Sequence, residues 1–329
     1  MNRKTVLLDI REIANPTSGF GQICKNYAEW YGSMSDPQLD FVLLTEPRLL
    51  PEVDLWHATN QQQLKHRHGR CRHFVLTIHD LNYLTEKNWL RQMKHNFILQ
   101  HAINKADAVV TISNYVARQV EHQFRMNGKP VRVVYNGVED ISRQAESRPA
   151  FVGDRPFFFT IGQIRKKKNQ HLLVDMMRHL PDFDLYISGD DHFAHAATVR
   201  RRIADLPTAN ACLTGKITAE EKVWLYRHCQ ALLFPSVGEG FGLPAIEAMQ
   251  FGKPVFIANA TCLPEICDGH ALVWPDLNPA SMAAFVKTRL PLFDDIMAQA
   301  CKDHAATFSY QRHTDAYIQL YKQILMSCD

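Results

Sequence analysis

The chain has 329 residues, 46% of them hydrophobic and 22% charged, a balance that excludes a disordered or fibrous protein and leaves room for more than one core. The formal net charge is only +3, with 19 basic against 15 acidic residues up to position 152 and 18 against 19 after it. That near-neutral balance argues against a nucleic-acid binder, and the basic runs Arg165–Lys168 and Arg200–Arg202 carry no aromatic-basic RNA motif beside them.

In chain order, short β-rich runs are expected at Val6–Asp9, Phe41–Thr45, Leu55–Ala58, Phe74–Ile78, Ala108–Ile112 and Val131–Val134, alternating with helical patterns. The rhythm restarts at Phe157–Ile161 and continues through Phe183–Ile187, Ala211–Leu213, Ala231–Phe234, Pro254–Ala258 and Ala271–Val273. Strands separated by helices make βαβ units and parallel sheets, and two runs of six predict two α/β domains. The stretch Asp140–Pro156 breaks the periodicity with polar residues, glycine and prolines and reads as a linker. The domains are therefore placed at residues 1–150 and 151–311, and a helix is expected from about Gln170 to Leu180.

Eight cysteines are scattered without a C-x-x-C pair, which fits reduced thiols. The run MNRKTVLLDI is broken by Asp9 and Arg11, and no stretch approaches the ~20 apolar residues of a membrane span, so a cytoplasmic protein is expected. The histidines of Lys65–His73 (His66, His68 and His73, with Cys71) raise zinc, but their spacing fits no ligand frame and the loop is basic, so no metal is expected there.

Helix Glu86–Lys105 carries Trp89, Leu90, Met93 and Phe97 at three- and four-residue spacing beside Lys87, Arg91, Lys94 and His95. Two placements are open. The apolar stripe packs on the sheet, the commoner fate of such helices, or it lies weakly and salt-sensitively against anionic lipid.

The densest chemistry is in Phe234–Glu247, FPSVGEGFGLPAIE. A strand ends, a glycine-rich loop follows, and a helix opens near Leu243–Pro244, where proline suits the first turn. The unpaired N–H groups of that helix start, approached closely across Gly240 and Gly242, suit a diphosphate. Glu239 and Glu247 are eight positions apart, one in the loop and one a turn into the helix, so that one carboxylate reaches a sugar and the other a ribose. By themselves two such glutamates would be solvated surface groups; it is their setting that marks them.

That setting resembles the family 4 glycosyltransferases, whose Glu-x7-Glu signature is matched here by Glu239, Gly240, Phe241, Gly242, Leu243, Pro244, Glu247, Ala248, Met249, Gly252, Pro254 and Val255, followed by Leu263–Pro264–Glu265. A second resemblance is Gly162–Gln163 with Arg165 and Lys168–Asn169, like the family's G-R-x-x-x-x-K-N segment; Gln163 stands where the family has arginine, which leaves Arg165, Lys166 and Lys167 as the nearby cations open to compensate. Gly19 and Gly21 in Thr17–Trp30 look like the family's loop after the first strand, and His79 ends a strand as the family's sugar-facing histidine does. Val109–Tyr115, Tyr135–Val138 and Phe308–Tyr310 are further echoes, the last leading a helix, 312–329, that would cross back to the first domain.

The resemblance implies two Rossmann-like domains facing across a cleft (the GT-B fold) and a retaining transfer of a hexose-type sugar from a nucleotide-sugar donor to a glycan or glycolipid acceptor. It implies neither cofactor nor metal. His79, Lys168 and Glu239 would be catalytic, and Gly19, Gly21, Gly162, Gln163, Arg165, Lys168, Glu239, Gly240, Phe241, Gly242, Leu243 and Glu247 would bind the donor. The acceptor would meet the first domain, in the synthesis of a bacterial surface polysaccharide or lipopolysaccharide, with the enzyme in the cytoplasm or on the inner face of the membrane. The alternatives are a catalytically degenerate nucleotide-sugar binder, which would have lost some of His79, Lys168, Glu239 and Glu247, and an epimerase of the same architecture.

Overall fold

The computed structural model describes residues 3–14, 19–46, 52–65 and 71–326; Thr17, Ser18, His66, His68 and Cys328 lie outside them. Among the described residues the first elements are β1 (Lys4–Asp9), α1 (Gly19–Gly32), β2 (Leu39–Leu44), β3 (Val53–Ala58), β4 (Cys71–Ile78), α2 (Tyr83–Glu86), α3 (Trp89–Lys105), β5 (Ala108–Thr111), α4 (Asn114–Gln123) and β6 (Val131–Val133). Then come β7 (Phe157–Ile161), α5 (Gln170–Met177), β8 (Asp184–Ser188), α6 (His195–Ala204), β9 (Ala211–Gly215), α7 (Ala219–His228) and β10 (Ala231–Phe234). The chain ends with α8 (Leu243–Gln250), β11 (Val255–Ile257), α9 (Leu263–Cys267), β12 (Leu272–Val273), α10 (Pro279–Arg289), α11 (Asp295–Ala306) and α12 (Tyr310–Met326).

The chain divides into two units, Met1–Glu139 with Tyr310–Asp329, and Asp140–Ser309. Each holds one six-stranded sheet, ordered β2-β1-β3-β4-β5-β6 in the first and β12-β11-β10-β7-β8-β9 in the second, and every pairing is parallel. Numbered within its own unit, the second sheet runs 3-2-1-4-5-6, so its order reverses between β7 and β10; the first reverses between β1 and β3. Loops leaving the carboxyl ends of strands at such a reversal are pushed apart and leave a crevice.

Both sheets are covered by helices and read as nearly continuous apolar runs, as strands buried on both faces do. Phe158, Leu185, Ile187, Leu233 and Phe256 pack with Leu173, Met177, Val199, Met282 and Val286 from the helices of the second unit and with Trp274, which follows β12. Residues 140–156, which the sequence presents as a linker, are fastened to that unit. Ile141 N donates to Gln250 Oε1 (3.1 Å), Arg227 pairs with Glu146 (2.7 Å), and Phe151 lies against Tyr186.

In the first unit α12 is tied to the sheet by polar groups buried in an apolar setting. His57 on β3 bonds the Tyr321 hydroxyl through Nδ1 (2.7 Å) and Thr77 on β4 through Nε2 (2.8 Å), and Thr77 bonds the Tyr317 hydroxyl (2.8 Å). His313 Nδ1 lies 2.7 Å from Tyr135 O. A carbonyl only accepts, so Nδ1 carries the proton and Nε2 accepts from the Tyr27 hydroxyl (2.7 Å). Burial pushes both imidazoles down, His57 to about 3 and His313 to about 4, which keeps them neutral.

Two helical expectations are corrected. The helix after β7 stops at Met177, because Arg178, His179 and Leu180 close it with i→i−3 bonds. The segment Glu86–Lys105 is not one helix: Lys87 is extended, and Asn88 caps a new helix by accepting from Arg91 N. Its apolar stripe does not pack on the sheet. Leu99, Ala102 and Ile103 are the buried residues of α3, while Trp89, Leu90, Met93 and Phe97 are 65%, 60%, 61% and 77% exposed.

Candidate functional site

The reversal point of the second sheet gathers the loops after β7 and β10, residues 162–169 and 235–242. The backbone there leaves no room for side chains. A Cβ on Gly189 would fall 2.0 Å from Gly162 O, and both residues have positive φ (135° and 145°). A Cβ on Gly238 would meet Lys167 Cδ at 2.6 Å, and one on Gly242, at φ 96°, would meet Leu263 Cδ2 at 2.6 Å. Gly189 and Gly242 are thus required by contact as well as by conformation, Gly162 by conformation and Gly238 by contact.

The two loops are bonded to each other. Val237 N donates to Lys167 O (2.8 Å) and Asn169 Nδ2 to Pro235 O (3.1 Å), with Asn169 itself left-handed at φ 55°. Between them Lys168 Nζ forms an ion pair with Glu239 Oε1, and both side chains are mostly buried, 16% and 11% exposed. Lys168 also lies 5.5 Å from the centre of the Phe234 ring. The structure therefore brings together Lys168 and Glu239, 71 positions apart in sequence, at the mouth of the crevice. A cation held this way can receive negative charge, and a carboxylate so held can accept from hydroxyls.

Directly after the β10 loop, Gly242 opens α8 with Leu243 and Pro244 in its first turn. Its first N–H groups face out of the helix axis, with the positive end of the peptide dipoles behind them. Arg165, in the β7 loop, sets its guanidinium 4.1 Å over the ring of Phe193 in the segment after β8. Gln163 contributes through its backbone, its carbonyl accepting from Gln170 Nε2 (3.1 Å) and Arg165 N (2.9 Å).

Glu247, a turn into α8, is not among these groups. Its Oε1 accepts from Lys222 Nζ (2.9 Å) and its Oε2 from the Tyr226 hydroxyl (2.7 Å), both on α7. Lys222 and Tyr226 went unremarked in the sequence. Their i, i+4 spacing puts them on one face of a helix, but nothing in the sequence places α7 beside α8. The Tyr226 ring is buried, and burial beside Glu247 raises its hydroxyl pKa well above the ordinary value, so it stays a donor.

In the first unit, Gly19 and Gly21 lie in the first turn of α1, which follows β1. His79 follows β4 and is buried. Its Nε2 donates to Thr59 O (2.8 Å), its backbone N–H to Gln61 Oε1 (3.0 Å), and its ring meets Phe20 edge-on at 4.9 Å. Burial lowers its pKa, so the ring is neutral with its Nδ1 lone pair turned away from the bond to Thr59. At this sheet's own reversal point is a group that sequence reading missed. Buried Asp9 takes Arg11 in a two-point pair (2.8 and 2.6 Å), and the Asp9 carbonyl accepts from Gln63 Nε2 (2.6 Å) and the Thr59 hydroxyl. Asp9 and Arg11 look in sequence like charges interrupting an apolar run.

Of the histidine-rich loop, the described Cys71 and His73 lie on β4, and His73 pairs with Asp107 (3.4 Å). The described residues contain one close group of potential metal donors, Asp190, Asp191 and His192. Lys216 lies 3.5 Å from Asp190, and Arg200 pairs with Asp191, so the acids are already compensated.

Comparison with known proteins follows the division into two units. Residues 142–288 match the model of the glycosyl transferases group 1, and residues 36–140 match that of glycosyltransferase family 4. An O-antigen chain mannosyltransferase, RfbU, of Salmonella typhimurium is 24% identical over 210 residues, 62% of this chain and 58% of its own. The D-inositol 3-phosphate glycosyltransferase of Mycobacterium tuberculosis is 26% identical over 247 residues, 69% of this chain and 50% of its own. The chain thus spans little more than half the length of these curated relatives. Among solved structures, the sucrose-phosphate synthase of Thermosynechococcus elongatus superposes with a TM-score of 0.75 at 16% identity, covering 99% of this chain and 100% of its own. Anabaena HepE in complex with UDP and glucose superposes with a TM-score of 0.70 at 15% identity, covering 97% and 100%. The group 1 and family 4 glycosyltransferase models together match residues 36–140 and 142–288 and the solved structures share the fold, so this protein belongs by its sequence matches to the family 4 glycosyltransferases.

Proposed function

We propose that the protein is a retaining glycosyltransferase that moves a hexose-type sugar from a nucleotide diphosphate-sugar to a glycan or glycolipid acceptor. The observation that carries this is the Lys168–Glu239 pair, locked between the two loops of the sheet reversal and set just before the open start of α8. In this reading Lys168, Arg165 and the amides of Gly240–Leu243 take the charge that builds on the leaving diphosphate, replacing a metal ion. Glu239 holds the sugar hydroxyls and Glu247 the ribose hydroxyls, with Gly162 and Gln163 giving the nucleotide a backbone surface. His79, neutral, steadies the positive charge that develops at the reacting carbon. The acceptor hydroxyl attacks from the face the diphosphate leaves, and a diphosphate oxygen takes its proton, so no enzyme nucleophile is used. The acceptor is bound by the first unit, whose Gly19 and Gly21, at the start of α1, also take part in donor binding. One of these relatives, RfbU, is named an O-antigen chain mannosyltransferase, which supports a surface polysaccharide or lipopolysaccharide acceptor and work in the cytoplasm or on the inner face of the membrane.

The test is a panel of UDP-, GDP- and other nucleotide-sugars, read by thermal shift and by NMR of the products. One donor should stabilise the fold by about 2.7 kcal/mol at a hundredfold excess over its Kd. It should also release its sugar slowly with unchanged anomeric configuration. Stabilisation without turnover, even with acceptor extracts, would make this a binding protein, and conversion to an epimeric nucleotide-sugar would make it an epimerase.

A further inference from the structure

Among the exposed large apolar side chains, four belong to the first three turns of α3. Trp89, Met93 and Phe97 follow one another at four-residue spacing with Leu90 beside them, which places all four within roughly 100° of helix circumference. The buried side of the same helix, Leu99, Ala102 and Ile103, faces the other way and anchors it to the unit. Lys94 and Arg91 occupy the arc between the two.

This arc is built, not incidental. Lys87, Arg91, Lys94, His95 and Ile98 line a concavity of about 350 Å³. Lys87 is folded back over the helix: its Nζ donates to His95 Nε2 (2.8 Å), and its carbonyl accepts from Gln92 Nε2 (2.6 Å). Tyr83 stacks on His95 at 5.1 Å and donates to Asn96 Oδ1 (2.5 Å), which fixes the preceding turn. From Lys87 to Lys105 the sequence contains four Lys or Arg and no acidic residue. Among the described residues Arg91 and Lys94 make no ion pair, so these two cations stand beside the apolar arc without an acidic partner, Glu86 preceding Lys87 on α2.

We propose that this face of α3 docks on an anionic lipid surface. Trp89, Leu90, Met93 and Phe97 enter the boundary between headgroups and acyl chains, and headgroup phosphates sit over the concavity of Lys87, Arg91, Lys94 and His95. An apolar protein partner would not ask for one-signed charge beside the apolar arc. A lipid interface does, and it also favours an amphipathic ring such as Trp89. Surface basic residues gain from a negative leaflet only within about a Debye length, which fits a basic arc directly beside the inserted side chains. The proposal bears on where the acceptor is met, and it does not depend on which sugar is transferred.

The experiment is co-sedimentation of the full chain with phosphatidylcholine vesicles, with and without phosphatidylglycerol. It compares wild type, Lys87→Glu/Arg91→Glu/Lys94→Glu, and Trp89→Ser/Met93→Ser/Phe97→Ser. A parallel measurement follows tryptophan quenching by brominated lipid in wild type and Trp89→Phe, a conservative variant that keeps the fold. Wild type should pellet with the anionic vesicles at low salt and be partly released by salt. Either triple variant should bind about tenfold less or weaker still, and Trp89→Phe should lose most of the quenching. Absence of wild-type binding to anionic vesicles at low salt overturns the proposal. So does binding that both triple variants retain, or quenching that Trp89→Phe leaves unchanged. Vesicle binding does not read sugar transfer, so its failure would leave the enzymatic reading standing, and the converse holds.

Discussion

In the second unit the polar side chains of the candidate site lie in two loops and the helices next to them, the loops held by bonds to each other's backbone and Glu247 by Lys222 and Tyr226. In the first unit the polar side chains that hold the structure come from opposite ends of the chain: His57 and Tyr321, 264 positions apart, and Tyr27 and His313, 286 apart. The same sheet architecture has thus been used in two ways. The second unit concentrates charge where the strand order reverses and keeps its core apolar. The first places neutral polar groups within its core to fasten a returning helix. An ion pair at a crevice mouth is accessible to a ligand and can be exchanged for one. A buried imidazole between two hydroxyls cannot exchange, and serves to specify which surface α12 covers.

The comparison breaks most clearly at Lys168. If the loop pair of the second unit is catalytic, Lys168→Ala should lower kcat/KM by about 10²–10³, the usual cost of removing one preorganised charge-stabilising group. The melting temperature should fall moderately, since Glu239 loses its partner while only 11% exposed, but it should not collapse. Steady-state kinetics and a thermal melt on the same preparation decide it. A melting temperature that collapses while the residual folded fraction keeps its activity would make the pair structural, like the network of the first unit.

For the first unit the expected effect is on stability, with a definite sign. His57 and His313 are neutral in the fold down to about pH 3 and 4, whereas an unfolded histidine protonates near pH 6.5. Between those values the unfolded chain binds more protons, so stability rises with pH. The contribution is complete above pH 6.5 and is lost as pH falls toward 4, by on the order of 2 kcal/mol per histidine at pH 5. Chemical denaturation at pH 7.5 and 5 should show this loss, and His57→Gln/His313→Gln should flatten it. An unchanged pH dependence in the double variant would assign acid sensitivity to other groups.

What could be read in advance follows the same contrast. The strands were legible because both sheets are buried on both faces, which leaves apolar runs bounded by turn residues. The loop from Phe234 to Glu247 was legible because glycine, proline and glutamate at fixed spacing fall within one short segment. The α12 network was not legible: Tyr317 and Tyr321 at i, i+4 look like any aromatic stripe, and only the third dimension places His57 between a tyrosine and a threonine. The exposed stripe of α3 misleads for a related reason. Its spacing is that of a core-facing helix, and the true core positions, Leu99, Ala102 and Ile103, lie on the later turns.

A smaller effect sharpens the role of Glu247, which belongs to the second unit yet stands apart from the loop pair. Glu247→Ala should weaken nucleotide binding by about 1.5–3 kcal/mol if its carboxylate holds the ribose. Tyr226→Phe removes only one of its two fixed partners, so a loss near 1 kcal/mol is expected, in affinity and not in kcat. Calorimetric titration with the nucleoside diphosphate measures both. Equal affinities for wild type and Glu247→Ala would leave Glu247 as a tie between α7 and α8.

The smallest expected effect is none at all, on adding a chelator. In the proposed reading Lys168, Arg165 and the start of α8 supply the positive charge at the reversal of the second sheet, so that a diphosphate held there would need no divalent ion to leave. The chain does contain an Asp-x-Asp, Asp182 and Asp184, but Asp184 opens β8 at the amino edge of the sheet, opposite to those loops, and is paired with Arg155 at 2.5 Å. At the carboxyl edge Asp190, Asp191 and His192 follow β8, with Lys216 and Arg200 beside the two acids. A metal would have to displace those cations before it could serve the diphosphate. Transfer rates should therefore be equal in excess EDTA and in manganese or magnesium. If EDTA abolished turnover and manganese restored it, Asp190→Asn would be the next variant to make, since among the described residues that is the one donor cluster, and it lies at the correct edge of the sheet. Sensitivity of Asp190→Asn to manganese would then move the electrophile from Lys168 to a metal, and the charge logic assigned to the second unit would have to be rebuilt around it.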